Sequence, residues 1–178
     1  MVSAQDWSVA LATQAHADIT ARKILIRESD LPACQQLHFL QMACEKLCKA
    51  HLCHSTAPEQ LTTSHAFIAG VLPVIFKIQF SRTFKRNVKN QAQIFKRVKQ
   101  LACEIELLAP AVNDNGRRED NCEYPWLDGS GRLRVPSEWN FPNLNLLHAQ
   151  SGALLIKLIE TAIDELRKPP PPRPNNPA

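Results

Sequence analysis

Residues Leu31 to Cys53 read LPACQQLHFLQMACEKLCKAHLC and predict a single helix of about six turns. Asp30 is the expected N-cap, and Pro32 falls in the first turn, where proline is tolerated. Apolar and small residues form two adjacent strips at steps of three and four residues: Leu37, Leu40, Cys44, Leu47 and His51 in one, and Ala33, Phe39, Ala43, Cys48 and Leu52 in the other. Because two strips require packing on more than one side, we predict the central helix of a bundle.

A first helix is predicted upstream, from Asp6 as its N-cap to about Arg27. The link from Glu28 to Asp30 leaves room only for a tight turn. Two helices with so short a connection must be antiparallel neighbours, so the first helix should pack along the central one.

Two more helices are expected after a polar loop at residues 54–63. The third should begin near Thr63 or Ser64, and Pro73 should kink or break it because proline lacks the backbone donor. The fourth has the clearest amphipathic pattern, and Pro110 ends it. Its inner face is formed by Phe84, Val88, Gln91, Phe95, Val98, Ala102, Ile105 and Ala109.

The stretch at about 110–142 is too rich in glycine and proline for a helix and predicts a long irregular loop. Within it, residues 124–127 and 132–135 flank a glycine-containing turn and suggest a small hairpin. Loops of this length are often functional, although the simpler explanation is that buried aromatics pin the loop to the bundle. A fifth helix should follow, with Asn143 as its N-cap and Lys168 at its end.

These patterns predict an all-α, up-and-down bundle of about five helices, with the irregular loop between helices 4 and 5. One domain should occupy residues 1–168, with the loop insertion at about 110–142, and the proline-rich residues 169–178 should be disordered. A chain of 178 residues needs no disulfides to hold its core, so the six cysteines are expected to be reduced in a cytoplasmic protein. The longest apolar run, Ala66 to Phe76, is too short to span a membrane.

Cys44, Cys48 and His51 share one face of the predicted central helix and are residue types that bind zinc. No C-x-x-C or H-x-x-x-H pairing accompanies them, and structural zinc sites gather ligands from two elements. We therefore favour a core role for these side chains and expect neither a metal nor another cofactor. No P-loop, GxGxxG, HExxH or GxSxG motif is present, and no catalytic residue is assigned.

The charge distribution gives a stronger functional signal than the net charge of +4, because no acidic residue occurs between Glu59 and Glu104. Cations in this interval fit phosphate contacts, and the candidates are Arg82, Arg86, Lys89, Lys96 and Arg97. The alternative is an ordinary solvated helix face. The irregular loop offers a second candidate surface, formed by Arg118, Glu123, Tyr124, Trp126 and Trp139.

The central helix also carries a distinctive run of residues, namely Gln41, Ala43, Glu45, Lys46, Lys49, Ala50 and Leu52. This run resembles the second helix of HEPN domains, which often carry Q-x-A-x-E-K-x-x-K-A-x-L there. The resemblance covers mainly helices 1 to 4 and implies a HEPN-like bundle that forms homodimers. HEPN ribonucleases carry an Arg, four to six intervening residues and a His, but here Arg82 is followed by Asn87 where the His would stand. Because Asn is not a general acid or base near neutral pH, RNase activity is not expected.

The leading hypothesis is therefore a non-catalytic HEPN-like module that binds RNA or a nucleotide through the basic face of helix 4, as a homodimer. The second hypothesis is a protein-interaction subunit, for example a partner of a nucleotidyltransferase in a toxin–antitoxin or defence system, which would use helix 5 and the loop. The third is a degenerate RNase that uses Arg82 with Asn87, or a loop acid such as Glu123.

Overall fold

The computed structural model describes residues 2–56, 58–84, 91–112 and 120–168, and α-helices account for most of them. The helices are α1 (Ala4–Leu25), α2 (Ala33–Leu52), α3 (Pro58–Thr63), α4 (Ile68–Thr83), α5 (Gln91–Glu106) and α6 (Gln150–Arg167). Two short strands, β1 (Trp126–Leu127) and β2 (Leu133–Arg134), pair antiparallel between α5 and α6. The prediction of an all-α bundle with a small hairpin in the loop before the last helix is confirmed.

The helix α2 lies at the centre of the bundle, as predicted, and contacts α1, α4, α5 and α6. Leu40, Cys44 and Leu47 on this helix are fully buried. Ala43 and Cys48 of the second strip are fully buried as well, so both strips are covered, as in a helix packed on several sides. The core around it is completed by large side chains from the other helices, including Phe76, Phe80, Leu101, Ile105, Leu155 and Leu158.

The starts of the first two helices differ from the prediction. Ser3, not Asp6, is the N-cap of α1: its hydroxyl accepts a hydrogen bond from the Asp6 N–H (3.1 Å), and the Asp6 carboxylate accepts one from the Ser3 N–H (2.8 Å). This reciprocal capping box places the acid in the first turn, where the helix dipole also favours it. The N-cap of α2 is Pro32 rather than Asp30.

The third and fourth predicted helices are also redistributed. Part of the predicted polar loop forms α3, and α4 continues through Pro73 without the predicted break. The continuous helix from Phe84 to Ala109 was a wrong prediction, since α4 ends at Thr83 and Phe84 has extended backbone angles (φ −112°, ψ 95°). The Phe84 ring packs 4.8 Å from that of Phe80, so the aromatic pattern belongs to the end of α4. Residues 85–90 lie outside the described chain.

The last helix begins later than predicted, at Gln150 rather than after Asn143. The residues Pro142–His148 form a 3-10 helix instead, bent by 75° from α6. Gly152 makes this bend possible because a Cβ there would lie 2.3 Å from the Leu147 carbonyl oxygen. Only glycine fits here, because any residue with a Cβ would collide with the neighbouring backbone.

The six cysteines are all free, and five of them are buried, in agreement with the expected reduced core thiols. Burial raises the pKa of Cys44 to about 12, which keeps that thiol protonated and inert. Within the described ranges, no single helix is long and apolar enough to span a membrane, and only the bent pair of Pro142–His148 and α6 passes that test together. The predicted disordered tail, residues 169–178, lies outside the described chain.

Candidate ligand-binding cleft

A cleft of about 420 Å³ opens between α4, α5 and the start of α6. The end of α4 and the outer face of α5 form one wall, and the first two turns of α6 form the other. Its described lining consists of Phe80, Phe84, Gln93, Ile94, Arg97, Gln150, Ser151, Ala153, Leu154 and Lys157. We call it the α5–α6 cleft.

The α5–α6 cleft is cationic. Arg97 from α5 and Lys157 from α6 both line it, and none of its described lining residues is acidic. Neither cation forms an ion pair with any residue that the structure places. Two uncompensated positive charges on facing helices attract an anion, and the partly enclosed setting strengthens that attraction relative to open water.

The start of α6 adds hydrogen-bond donors to the same cleft. Ala149 is its N-cap and supplies no capping side chain, so α6 lacks a side-chain acceptor at this end. The first N–H groups of a helix have no intrahelical acceptor four residues back and carry partial positive charge. In α6 the Gly152 N–H already donates to the Ala149 carbonyl oxygen at 3.0 Å, so the donors of this turn are those of Gln150 and Ser151. Ser151, in this first turn, is 3 % exposed, and its hydroxyl has no hydrogen-bond partner among the described residues. A buried hydroxyl without a partner is costly unless a ligand satisfies it.

An aromatic wall closes the other side of the cleft. Phe80 is buried, and Phe84 beyond it is 38 % exposed. Phe80 also packs edge-to-face against Phe95, with ring centroids 5.3 Å apart, which fixes its orientation. The exposed Phe84 ring therefore stands on a rigid aromatic base, and such a ring can stack on the face of a nucleobase.

The structure separates the predicted phosphate contacts from one another. Arg97 lines the α5–α6 cleft, while Lys96 is exposed on α5 and is not part of the lining. Arg82 belongs to α4 rather than to the helix that carries Lys96, and it lines a second pocket. There its guanidinium donates to Glu165 at 2.9 Å, so its charge is already compensated. The other two predicted contacts, Arg86 and Lys89, lie outside the described residues.

Sequence reasoning missed the contribution of α6 to the cleft. Lys157, Ser151 and Gln150 were not among the predicted site residues, although all three line it. In the sequence, Ser151 falls at helical steps between the apolar residues Leu147, Leu154 and Leu158, and in the structure it is buried. The only sequence signal was a polar residue within an apolar stripe, and a residue of that kind is more often a satisfied core group than a ligand contact.

The predicted interaction loop divides into buried and exposed side chains. Trp126 is buried and packs edge-to-face on Trp139, with ring centroids 5.6 Å apart, and the Trp139 indole N–H donates to the Asp120 carboxylate. Trp126 is thus buried within the loop, while Trp139 is half-buried and packs against the hydrophobic core of the bundle. Tyr124 is exposed, while Glu123 lies beside the His38 imidazole. Arg118 lies outside the described residues.

The residues that carry the HEPN resemblance form a buried polar network in α2. The Lys49 ammonium donates to Glu45 at 2.6 Å, and the Gln41 amide donates to the same carboxylate at 2.9 Å. His65 Nδ1 lies 3.1 Å from Glu45 Oε1. Burial alone would raise the pKa of Glu45, but the hydrogen bonds from Lys49 and Gln41 outweigh it and lower the pKa below its ordinary value. These residues therefore bond to one another inside the fold, and none of them lines the α5–α6 cleft.

The geometry defines the protein as an all-α bundle with a cationic, partly aromatic cleft beside its last helix. In comparisons with known proteins, the chain matches no family model, no curated protein and no solved structure. Membership of the HEPN family thus stays a prediction from the residues of α2.

Proposed function

We propose that this protein is a binding module for a phosphate-bearing ligand with an aromatic base, either a nucleotide or single-stranded RNA, and that the α5–α6 cleft is its site. One observation carries the proposal. The Ser151 hydroxyl, which has no hydrogen-bond partner among the described residues, lies in the first turn of α6. The same cleft holds Arg97 and Lys157, neither of which forms an ion pair within the described part of the chain.

In this proposal the phosphate lies at the start of α6. There it accepts hydrogen bonds from the Ser151 hydroxyl and from the N–H groups of Gln150 and Ser151, and anions commonly bind at the start of a helix in this way. Arg97 offers a planar, bidentate fork to the phosphate oxygens, and Lys157 adds a point charge. The base stacks on Phe84 across the cleft. The volume of about 420 Å³ lies within the usual range for small-molecule sites.

The same lining favours binding over cleavage. None of the described lining residues is a His, Asp, Glu or Cys. Those are the side chains that most often move protons near neutral pH, so the described part of the lining holds none of the common general acids or bases. Together with Asn87 in place of the expected His, this supports a non-catalytic role.

The test is fluorescence anisotropy of a labelled single-stranded RNA and a labelled nucleotide, at low and physiological salt, with a gel of the RNA afterwards. Arg97→Glu should weaken binding by at least about tenfold, which corresponds to the loss of about 1.4 kcal/mol. For RNA it should also reduce the slope of log K against log salt concentration by about 0.7 per lost phosphate contact. Arg27→Glu, which makes the same charge change at an exposed position outside the cleft, is the matched control.

Equal weakening by Arg97→Glu and Arg27→Glu would show that only the net charge matters and would refute the cleft as the site. Cleaved RNA would instead support the degenerate-RNase hypothesis. If neither probe binds the wild type at low salt, the ligand class is wrong. The protein-interaction hypothesis would then start from the hairpin, where the cross-strand pair Leu127 and Leu133 is exposed.

A further inference from the structure

Three metal-ligating side chains meet away from the α5–α6 cleft. His38 lies on α2, and Cys122 with Glu123 comes from the segment that leads into the hairpin. The His38 Nδ1 atom is 3.9 Å from Cys122 Sγ and 3.4 Å from Glu123 Oε1. All three ligand atoms lie within 4.8 Å of one another. We call this group the His38–Cys122–Glu123 cluster.

The separations suit a tetrahedral zinc ion. Zinc binds imidazole nitrogen, thiolate sulfur and carboxylate oxygen at about 2.0–2.3 Å, so two ligand atoms of one tetrahedral ion stand about 3.4–3.6 Å apart. The two distances from His38 are close to this value. The ligands also come from two separate elements, which is the arrangement that the residues Cys44, Cys48 and His51 of α2 lack.

One ligand of the cluster is buried and the other two are partly exposed, as expected for an ion that enters from solvent. Cys122 is 6 % exposed, whereas the His38 and Glu123 side chains are each about one-third exposed. An ion can therefore enter from the solvent side and reach a thiol held at the base. That thiol is already fixed in place, because both the N–H and the S–H of Cys122 donate to the Leu108 carbonyl oxygen, at 3.2 and 3.4 Å.

We propose that the His38–Cys122–Glu123 cluster is a zinc site with three protein ligands and a fourth position open to water. On binding, the Cys122 S–H loses its proton to solvent and the hydrogen bond to Leu108, and the thiolate donates an electron pair to the metal. Glu123 leaves its contact with the imidazole and becomes an oxygen ligand. The ion would tie the segment before the hairpin to α2, and the open position distinguishes the site from a closed structural one.

Without metal, burial raises the pKa of Cys122 to about 12, and the neighbouring Glu123 carboxylate adds to that effect. The free thiol is therefore protonated at neutral pH, and metal binding must displace its proton.

The test is a titration of the reduced, chelator-stripped full chain with Co²⁺, a spectroscopic substitute for Zn²⁺. The wild type should develop a near-ultraviolet thiolate-to-cobalt band that saturates at one ion per chain, and added Zn²⁺ should remove the band. Cys122→Ser should abolish it. Cys103→Ser, which removes a partly exposed thiol of α5 outside the cluster, should leave it unchanged.

His38→Ala keeps the result interpretable if Cys122→Ser fails to fold, since the His38 side chain is about one-third exposed. At known sites, loss of an outer-shell partner of a ligand weakens metal binding by roughly 10–100-fold. Loss of a direct ligand in His38→Ala should weaken Co²⁺ binding by at least that factor. Zn²⁺ should raise the Tm of the wild type but not that of His38→Ala. The proposal is wrong if the wild type shows no band, or if a band of equal strength persists in Cys122→Ser.

Discussion

Replacement of Glu45 by methionine tests whether the buried network of α2 holds the bundle together. The Glu45 and Lys49 side chains are only 7 % and 8 % exposed. In Glu45→Met the Lys49 ammonium stays buried with no carboxylate opposite it. The Gln41 amide, which is also buried, loses its acceptor as well.

The expected cost follows from that burial. Removal of one partner of a buried ion pair destabilises a protein by about 3–5 kcal/mol, because the remaining charge is uncompensated. For a chain of this size each kcal/mol corresponds to about 2–4 °C, so the Tm should fall by about 6–20 °C. Adding Lys49→Met removes the stranded charge and should recover about half of the loss. About 1–3 kcal/mol should remain, because the Gln41 amide is still unsatisfied.

Thermal and urea unfolding followed by circular dichroism, arranged as a double-mutant cycle, measures both effects. Glu28→Met, at an exposed position, is the control and should change stability by no more than about 0.5 kcal/mol. The reasoning fails if Glu45→Met costs less than about 1 kcal/mol, or if the double variant is no more stable than the single one.

The pH dependence gives a second check on the same residue. The pKa of Glu45 is lower in the folded chain than its ordinary value of 4.5. Its carboxylate therefore contributes stability above about pH 4.5, and this contribution is lost as the pH falls through the folded pKa. The stability difference between the wild type and Glu45→Met should consequently shrink on acidification. A difference that stayed constant down to the acid transition would contradict the assigned direction of the pKa shift.

Two further predictions concern the segments that position the cleft and the loop. Gly152→Ala should destabilise the protein and weaken binding at the start of α6, because the added Cβ would collide with the Leu147 backbone. The control is Gly70→Ala in the interior of α4, where a Cβ has open space and should stabilise the protein by up to about 1 kcal/mol. An equal loss of stability in both variants would refute the close approach of Gly152 to Leu147. Asp120→Ala should cost about 2–3 kcal/mol and change the near-ultraviolet circular dichroism of tryptophan, because Trp139 and Asn143 both donate to this carboxylate. An unchanged spectrum would show that Asp120 does not hold the loop.

The fold was largely predictable from hydrophobic periodicity, because burial determines which helix faces meet. The two strips of α2 correctly indicated a central helix, and the turn after Arg27 correctly placed α1 beside it. Helix boundaries were less predictable, since they depend on local backbone geometry. The capping role of Ser3 and the end of α4 before Phe84 both arise from contacts that a periodic pattern does not contain.

The candidate sites were less predictable because each combines residues far apart in the chain. The cations of α5 were visible as an interval without acids, but nothing in the sequence shows that α6 begins beside them. The His38–Cys122–Glu123 cluster is a clearer case still. His38 and Cys122 are separated by 84 positions and belong to no recognisable spacing motif, so only the tertiary fold brings them together.

The predicted phosphate contacts differ in whether a neighbouring carboxylate already neutralises their charge. A phosphate that bound Arg82 would have to compete with the Glu165 carboxylate, which also accepts a hydrogen bond from Gln79 and would be left near the incoming anion. Arg97 and Lys157 have no such competitor among the described residues, and both line the same cleft as Ser151. In the proposed complex an anion would meet both positive charges and accept a hydrogen bond from the Ser151 hydroxyl. The absence of a competing carboxylate among the described lining residues therefore supports the proposal of Arg97, rather than Arg82, as the phosphate contact.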